Sequence, residues 1–325
     1  MNKQIVVLAA GKGTRMKSEV PKVLVQLHKK PIIKHLLDEI EKIEQATKPV
    51  IVVGYKKELV QSELGSHYVY AEQENLSGTA SAVLASKPHV SAEHIVVLCG
   101  DMPLIKAKSI EKLFKQHSEN NSVLSMFTCI VPHFKKHYEH FLSFGRIVRD
   151  TKNNITNIKE YSDADEKEKA IKEVNPGIYI FNAQWLWENM EKIRNNNAQD
   201  EFYLTDIIAV AISQNKTVTS MKISPKEVIG INTPQQLAHA HTLVKEKAVT
   251  QFSHRKTFVF WFSYILGTMC IVALFAALGI VFSRLFNTIT YQIITFFITA
   301  IFLSNILAKY YIIADRFLQK RRYYM

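Results

Sequence analysis

The chain has 325 residues, long enough for one large α/β domain with an appendage, and its average composition is ordinary. The net charge of +12 is unevenly spread: residues 251–325 hold eight Lys/Arg against one Asp, a net of +7, leaving +5 for the first 250 residues. The excess lies beside strongly apolar runs, which reads as a membrane-topology signal and excludes a nucleic-acid footprint. Cys99, Cys129 and Cys270 are far apart and lack metal-ligand spacing, as expected of buried thiols in a reducing compartment. The N-terminus lacks the length and cleavage site of a signal peptide.

In chain order, residues 4–9 form a short β-branched strand closed by Gly11. Ile32, Ile33, Leu36, Leu37 and Ile40 share one face of a helix over 31–42. Strands at 49–53, 68–71, 95–98 and 122–130 alternate with helices at 58–64, 78–86 and 108–117, which predicts a parallel sheet with helices on both faces. After Val131 the pattern changes. Residues 144–149 and 155–161 read as a strand pair turning at Asn153-Asn154. A strand at 174–181, helices at 185–193 and 203–213, and a strand at 217–223 follow. Thr233 caps a helix over 233–247 with Pro234 at its first position. Such an insertion beside a nucleotide-binding sheet is where a second substrate sits.

The tail carries two uncharged apolar runs, 257–283 and 285–308, separated by Arg284 alone. Each exceeds the roughly 20 residues that a membrane span needs. Basic residues flank both outer ends (His254, Arg255, Lys256 before; Lys309, Arg316, Lys320, Arg321, Arg322 after), which predicts a two-helix hairpin with both chain ends cytosolic. The expected division is a catalytic domain over 1–250 and a membrane anchor over 251–325.

The chemistry starts at Leu8-Ala9-Ala10-Gly11-Lys12-Gly13-Thr14-Arg15-Met16, followed by Pro21-Lys22. The chain leaves a buried strand into a glycine turn, where positive φ is permitted and backbone N–H groups can approach a triphosphate. Arg15 and Lys22 supply cations for charge on a transferring phosphorus and its leaving group. Gly-Lys-Ser/Thr is absent, so this is not a Walker A loop.

This segment resembles the signature of nucleotidyltransferases that activate sugar-1-phosphates. More specifically, it resembles the uridylyltransferase domain of bacterial bifunctional N-acetylglucosamine-1-phosphate uridylyltransferase/glucosamine-1-phosphate acetyltransferases. The similarity continues in order over roughly residues 3–240: Ala71-Glu72-Gln73, Gly78-Thr79-Ala80, Gly100-Asp101-Met102-Pro103-Leu104, Gly145-Arg146-Ile147-Val148-Arg149, Asn175-Pro176-Gly177-Ile178-Tyr179, Asn195 to Asp206, and Gly230-Ile231-Asn232. It implies a Rossmann-like α/β nucleotidyltransferase fold with a mixed, mainly parallel sheet. It further implies that Leu8, Ala9, Ala10, Gly11, Gly13, Gln73, Gly78 and Thr79 hold the nucleotide, and that Asp101 and Asn232 bind Mg²⁺. Gly145, Glu160, Asn175, Tyr203 and Thr205 would line the sugar-phosphate pocket. A phosphate oxygen of the sugar-1-phosphate would attack the α-phosphorus of UTP and expel pyrophosphate. That oxygen is already anionic, so no side-chain base is required and none of the twelve histidines is given a role.

Three departures matter. The hexapeptide repeats that carry the family's acetyltransferase are absent, so neither acetyl transfer nor trimerisation through that element is expected. Asn175-Pro176-Gly177 stands where Asn-Thr-Gly is common, and Ser81 where a histidine is common. Alternatives therefore stay open: another sugar- or alcohol-phosphate with UTP or CTP, or a membrane-bound UDP-sugar-binding regulator without catalysis. The loop of a molybdopterin nucleotidyltransferase usually reads Leu-Ala-Gly-Gly, which Ala9-Ala10-Gly11 does not fit. The expected location is the cytosolic face of a bacterial inner membrane, with docking onto a membrane glycosyltransferase as a further role for the hairpin.

Overall fold

The computed structural model describes residues 2–44 and 46–245, with Phe262, Leu266, Gly267 and Met269 beyond them. The chain divides into two compact units, Met1–Glu246 and Lys247–Met325. In the second, the four described residues are helical and exposed. Among the described residues no helix is long and apolar enough to cross a membrane. The runs 257–283 and 285–308, apart from those four residues, lie outside the described residues, and with them the expected hairpin.

The first unit alternates strands and helices: β1 (Lys3–Leu8), the short hairpin β2 (Gln26–Leu27) and β3 (Lys30–Pro31), α1 (Ile32–Ile40), β4 (Ala46–Val53), α2 (Lys57–Leu64), β5 (Val69–Glu72), α3 (Thr79–Ala85), β6 (His94–Cys99), α4 (Ala107–Glu119) and β7 (Leu124–Ile130). There follow β8 (Gly145–Arg149), β9 (Ile155–Lys159), α5 (Glu166–Lys169), β10 (Glu173–Asn175), β11 (Tyr179–Asn182), α6 (Ala183–Asn189), α7 (Asp206–Ser213) and β12 (Val218–Lys222). Residues 234–245 are helical, and Gln236 N–H donates to Thr233 Oγ1 at 3.2 Å, the expected cap.

The sheet runs β5-β4-β1-β6-β11-β7-β10-β8-β9, with β12 also on β7. The pairs among β5, β4, β1 and β6, and β12 on β7, are parallel. β11, β10 and β9 run against their neighbours. The sheet is therefore mixed and mainly parallel. Its hydrophobic side chains alternate between two layers. Ile5, Val7, Ile51 and Val53 pack with α1, α2 and α4; Val6, Val50, Val52, Ile95 and Val97 pack with α3, α6 and α7. Helices thus cover both faces, as the alternation predicted. The expected single strand at 174–181 is corrected: it breaks into β10 and β11. Pro176 has no N–H to give a ladder, and Gly177 takes φ +74.

Two buried groups that sequence patterning does not expose shape the unit. Arg146 on β8 is fully buried, and among the described residues no carboxylate is hydrogen-bonded to it. Its guanidinium donates to the carbonyls of Lys169 (3.2 Å), Leu142 (3.0 Å) and Phe144, and lies over the rings of Phe134 and Tyr161. It ties the 3₁₀ segment Lys136–Ser143 and the end of α5 to the sheet. His117 of α4 is also fully buried, 2.8 Å from Ser125 Oγ and 3.1 Å from His94 Nδ1, and burial pushes its pKa down to about 4.

Arg146→Leu keeps apolar volume but strips three carbonyls of their donor. At about 1–3 kcal/mol for each unsatisfied group, the variant should lose at least about 3 kcal/mol in urea unfolding followed by tryptophan fluorescence; a loss under about 1 kcal/mol contradicts the anchoring role. His117 supplies a pH test. Its folded pKa of about 4 lies below the ordinary 6.5, so between those values the unfolded chain binds a proton that the folded chain refuses. Unfolding free energy should be fully present above pH 6.5 and fall as pH drops towards 4. The slope should be shallower in His117→Gln; an unchanged slope contradicts it.

Candidate active site

The site lies where parallel strands end. β1 and β6 are adjacent and in register at Leu8 and Cys99, so the glycine loop and the Gly100-Asp101 turn emerge side by side. The sheet order reverses there, since β4 follows β1 on one side and β6 on the other, and ligands of open α/β sheets bind at such a crevice. Backbone bonds fix the geometry: Gly100 N–H donates to Leu8 O (2.9 Å), Ala9 N–H to Val52 O (2.8 Å) and Tyr55 N–H to Ala10 O (3.0 Å).

Lys22, Asp101 and Asn232, far apart in sequence, converge here. Lys22 Nζ is 2.6 Å from Asp101 Oδ2 and donates to Asn232 Oδ1 at 2.7 Å. Ile231 N–H donates to Asp101 O at 3.0 Å, and Asn232 N–H to Gln236 Oε1 at 2.6 Å, so both oxygen donors rest on braced backbone. Lys22 and Asp101 side chains are only 16% and 12% exposed. Of the two loop glycines, only Gly13 takes a left-handed φ, +62; the expectation of a special φ does not hold at Gly11. A Cβ on Gly13 would lie 2.5 Å from Lys22 Cβ, so that glycine lets the lysine stem cross the loop. Arg15 stands apart, exposed on the turn Thr14–Met16 and outside this hydrogen-bonded cluster.

Gln73 is buried at the end of β5, and its Nε2 donates to Gly78 O (3.0 Å) and Ser81 Oγ (2.7 Å). Ser81 in turn donates to Gly78 O at 2.8 Å. A carbonyl can only accept, so these contacts fix the carboxamide with nitrogen inward. Gly78, φ +118, is pressed against another backbone: a Cβ there would lie 2.5 Å from Phe202 O and 2.7 Å from Phe202 N. Phe202 N–H donates to Ser77 O (2.7 Å), Ala80 N–H to Phe202 O (2.9 Å) and Leu204 N–H to Thr79 Oγ1 (3.0 Å). Thr79 therefore holds the 202–205 segment, a role that its motif did not show.

The remaining expected residues form one cluster. Gly145 pairs with Asn175 across β8 and β10. A Cβ on Gly145 would come within 3.3 Å of both Glu160 carboxyl oxygens, so the carboxyl packs over bare backbone. Thr205 Oγ1 donates to Glu160 Oε1 at 3.0 Å. Burial raises the Glu160 pKa, partly offset by the Thr205 bond. Tyr203 OH donates to Gln199 Oε1 at 2.8 Å and is 3.5 Å from Ser162 Oγ. Asn175 spends its amide within its own turn: Nδ2 donates to Tyr179 OH at 2.6 Å, and Oδ1 accepts from Gly177 N–H at 3.0 Å. Tyr179, quoted in its motif but given no role there, is buried behind the cluster, and burial raises its pKa well above 10. Burial pushes the thiol of Cys99 beside it up to about 12. A cleft of about 830 Å³ lies between the Lys136–Ser143 segment and the helix after Thr233, and none of the expected site residues lines it.

Among the described residues no group of three or more His, Cys, Asp or Glu could hold a metal ion alone. Asp101 and Asn232 nonetheless fit a hard cation whose shell is completed by phosphate and water. Their oxygens already converge on one positive charge, and a Cβ on Gly230 would crowd that place, 3.3 Å from Asn232 Nδ2 and 3.6 Å from Asp101 Oδ2.

Comparison with known proteins agrees with this architecture. Residues 5–172 match the family model described as a MobA-like NTP transferase domain. The bifunctional protein GlmU of Geobacillus sp. (strain WCH70) is 38% identical over 245 residues, 74% of this chain and 52% of that protein. The bifunctional protein GlmU of Desulfotalea psychrophila (strain LSv54 / DSM 12343) is 38% identical over 240 residues, 73% of this chain and 68% of that protein. The chain spans about half the length of most such relatives. A UDP-glucose pyrophosphorylase crystallised with UDP-glucose covers 76% of this chain with its whole length at a TM-score of 0.61; at 16% identity it shows the fold alone. The chain belongs to the family of MobA-like NTP transferase domains, and it is a nucleotidyltransferase.

Proposed function

We propose that the chain is a sugar-1-phosphate uridylyltransferase that converts UTP and N-acetylglucosamine-1-phosphate to UDP-N-acetylglucosamine and pyrophosphate. The convergence of Lys22, Asp101 and Asn232 at the β1/β6 crevice, with the Glu160–Thr205 cluster beside it, carries this reading. The GlmU relatives support it.

Each residue then has a task. The N–H groups of the Leu8–Gly13 loop cradle the phosphates. Gln73, with its nitrogen fixed inward, offers Oε1 as an acceptor for the imino N–H of uracil, a donor that cytosine lacks at the same position. That favours UTP over CTP. Glu160 leaves Oε2 for sugar hydroxyls while Thr205 occupies Oε1. Asp101 and Asn232 would hold Mg²⁺, whose charge supports the transferring phosphoryl group when bound. Arg15 and Lys22 neutralise charge that grows on the leaving pyrophosphate. The sugar phosphate attacks as an anion, so the residues supply positioning and charge and need remove no proton.

The same proposal places the enzyme on the cytosolic face of a bacterial inner membrane, held by the charge-free runs 257–283 and 285–308 and their basic flanks. A membrane glycosyltransferase that consumes the sugar nucleotide is the partner such a placement serves.

Full-length protein with UTP, Mg²⁺ and N-acetylglucosamine-1-phosphate should release pyrophosphate, and Asp101→Ala should abolish it; turnover within a few-fold of wild type would remove Asp101 from the site. Glu160→Gln should raise KM for the sugar phosphate about 10- to 100-fold, the worth of one hydrogen bond to a charged group, with KM for UTP little changed. Equal effects on both substrates contradict its assignment. For the tail, the chain should stay with membranes through an alkaline carbonate wash, and truncation after Thr250 should release a soluble enzyme with near-native kcat. Full-length chain in the wash supernatant contradicts the anchor.

A further inference from the structure

We infer that Lys22 holds the place of the divalent cation until nucleotide arrives, so that metal enters with the nucleotide and not before it. This rests on the assignment of Asp101 and Asn232 as the metal's ligands.

Three observations lead there. The ammonium sits 2.6 Å from Asp101 Oδ2 and 2.7 Å from Asn232 Oδ1, the two oxygens that a metal would take. A Mg²⁺ ion about 2.0–2.1 Å from the same atoms, bound on the ammonium's side of them, would fall inside the ammonium's own volume. Two cations cannot share that seat, so each excludes the other.

The seat is braced and its occupant is flexible. Asp101 is held through its carbonyl by Ile231 N–H, and Asn232 through its N–H by Gln236. The lysine reaches in on a four-carbon stem with free rotations. Exchange therefore moves Lys22 and leaves the carboxylate and amide where they are.

Charge decides when exchange occurs. Both members of the ion pair are largely withdrawn from water, where the attraction between unit charges is stronger than at an open surface. A bare metal ion that expelled the ammonium would leave it half-buried and without a counter-charge, a costly state. A triphosphate supplies that counter-charge close by. The Lys22 stem lies against the glycine loop, with its Cβ, Cγ and Cδ at 2.5, 3.3 and 3.4 Å from where a Gly13 Cβ would be. An anion seated on the loop's N–H groups is thus within the swing of Nζ. The nucleotide draws the ammonium off the oxygens, and the metal that accompanies it takes them over.

Manganese binding to the full-length chain tests this without turnover. Free Mn²⁺ is followed by electron paramagnetic resonance, with and without UTP, and UTP alone is subtracted. Wild type should bind Mn²⁺ weakly by itself and at least about tenfold more tightly with UTP present. Lys22→Met, which keeps the stem and removes the charge, should bind Mn²⁺ without nucleotide at least about tenfold more tightly than wild type. Adding Asp101→Asn to it should abolish that gain. Lys22→Gln serves if the Met variant folds poorly. Nucleotide-free wild type that binds Mn²⁺ as tightly as Lys22→Met overturns the exclusion. Binding in the presence of UTP that is indifferent to Asp101→Asn overturns the metal assignment beneath it.

Discussion

A single ammonium group, bonded to a carboxylate 79 positions and an amide 210 positions away, is the contact on which the site's order depends. For Lys22, Asp101 and Asn232 to meet, β1 and β6 must be neighbours in register, and the chain must return after β12 to lay Ile231 against Asp101. A shift of one residue in either parallel strand would turn the following turn to the opposite face of the sheet. The alternating layers of Ile and Val that bury both faces of β1, β4 and β6 make that register expensive to change. Core packing and site geometry are one constraint here.

A second tie joins the parts of the site that would meet different substrates. The segment carrying Tyr203 and Thr205 is stitched to the Ser77–Ala80 turn by three hydrogen bonds and by a backbone contact that leaves no space for a side chain at position 78. The Ser77–Ala80 turn, which the proposal gives to the base, and the segment that bonds Glu160 are thereby mounted on one another. On the proposed function, backbone and not side-chain rotamers would set the distance between the two substrates, which is what in-line transfer needs.

Much of this was legible in the sequence. The β-branched runs of β1, β4 and β6 and the one-sided apolar spacing of α1 placed the core to within a few residues, because hydrophobic period is set by the same geometry that buries it. Asp101 was legible as a carboxylate at a strand's end. What was not legible depended on contacts between distant residues. Gly13 and Gly11 look alike in sequence, yet only Gly13 has a lysine stem crossing it. Thr79 and Asn175 also bond within the protein, to Leu204 N–H and to the turn around Gly177, contacts that residue type does not announce. The strand expected over 174–181 breaks at Pro176, whose missing N–H an apolar period does not register. Arg146 gave no sign of burial, since its partners are carbonyls and ring faces that leave no trace in residue type.

The most direct test of the shared cation seat is a crystal structure of the full chain with UTP and Mn²⁺. Anomalous scattering should place the metal in direct contact with the Asp101 and Asn232 side-chain oxygens, with Lys22 Nζ moved onto a phosphate. A nucleotide-bound structure with Mn²⁺ elsewhere and Lys22 still bridging Asp101 and Asn232 would contradict it.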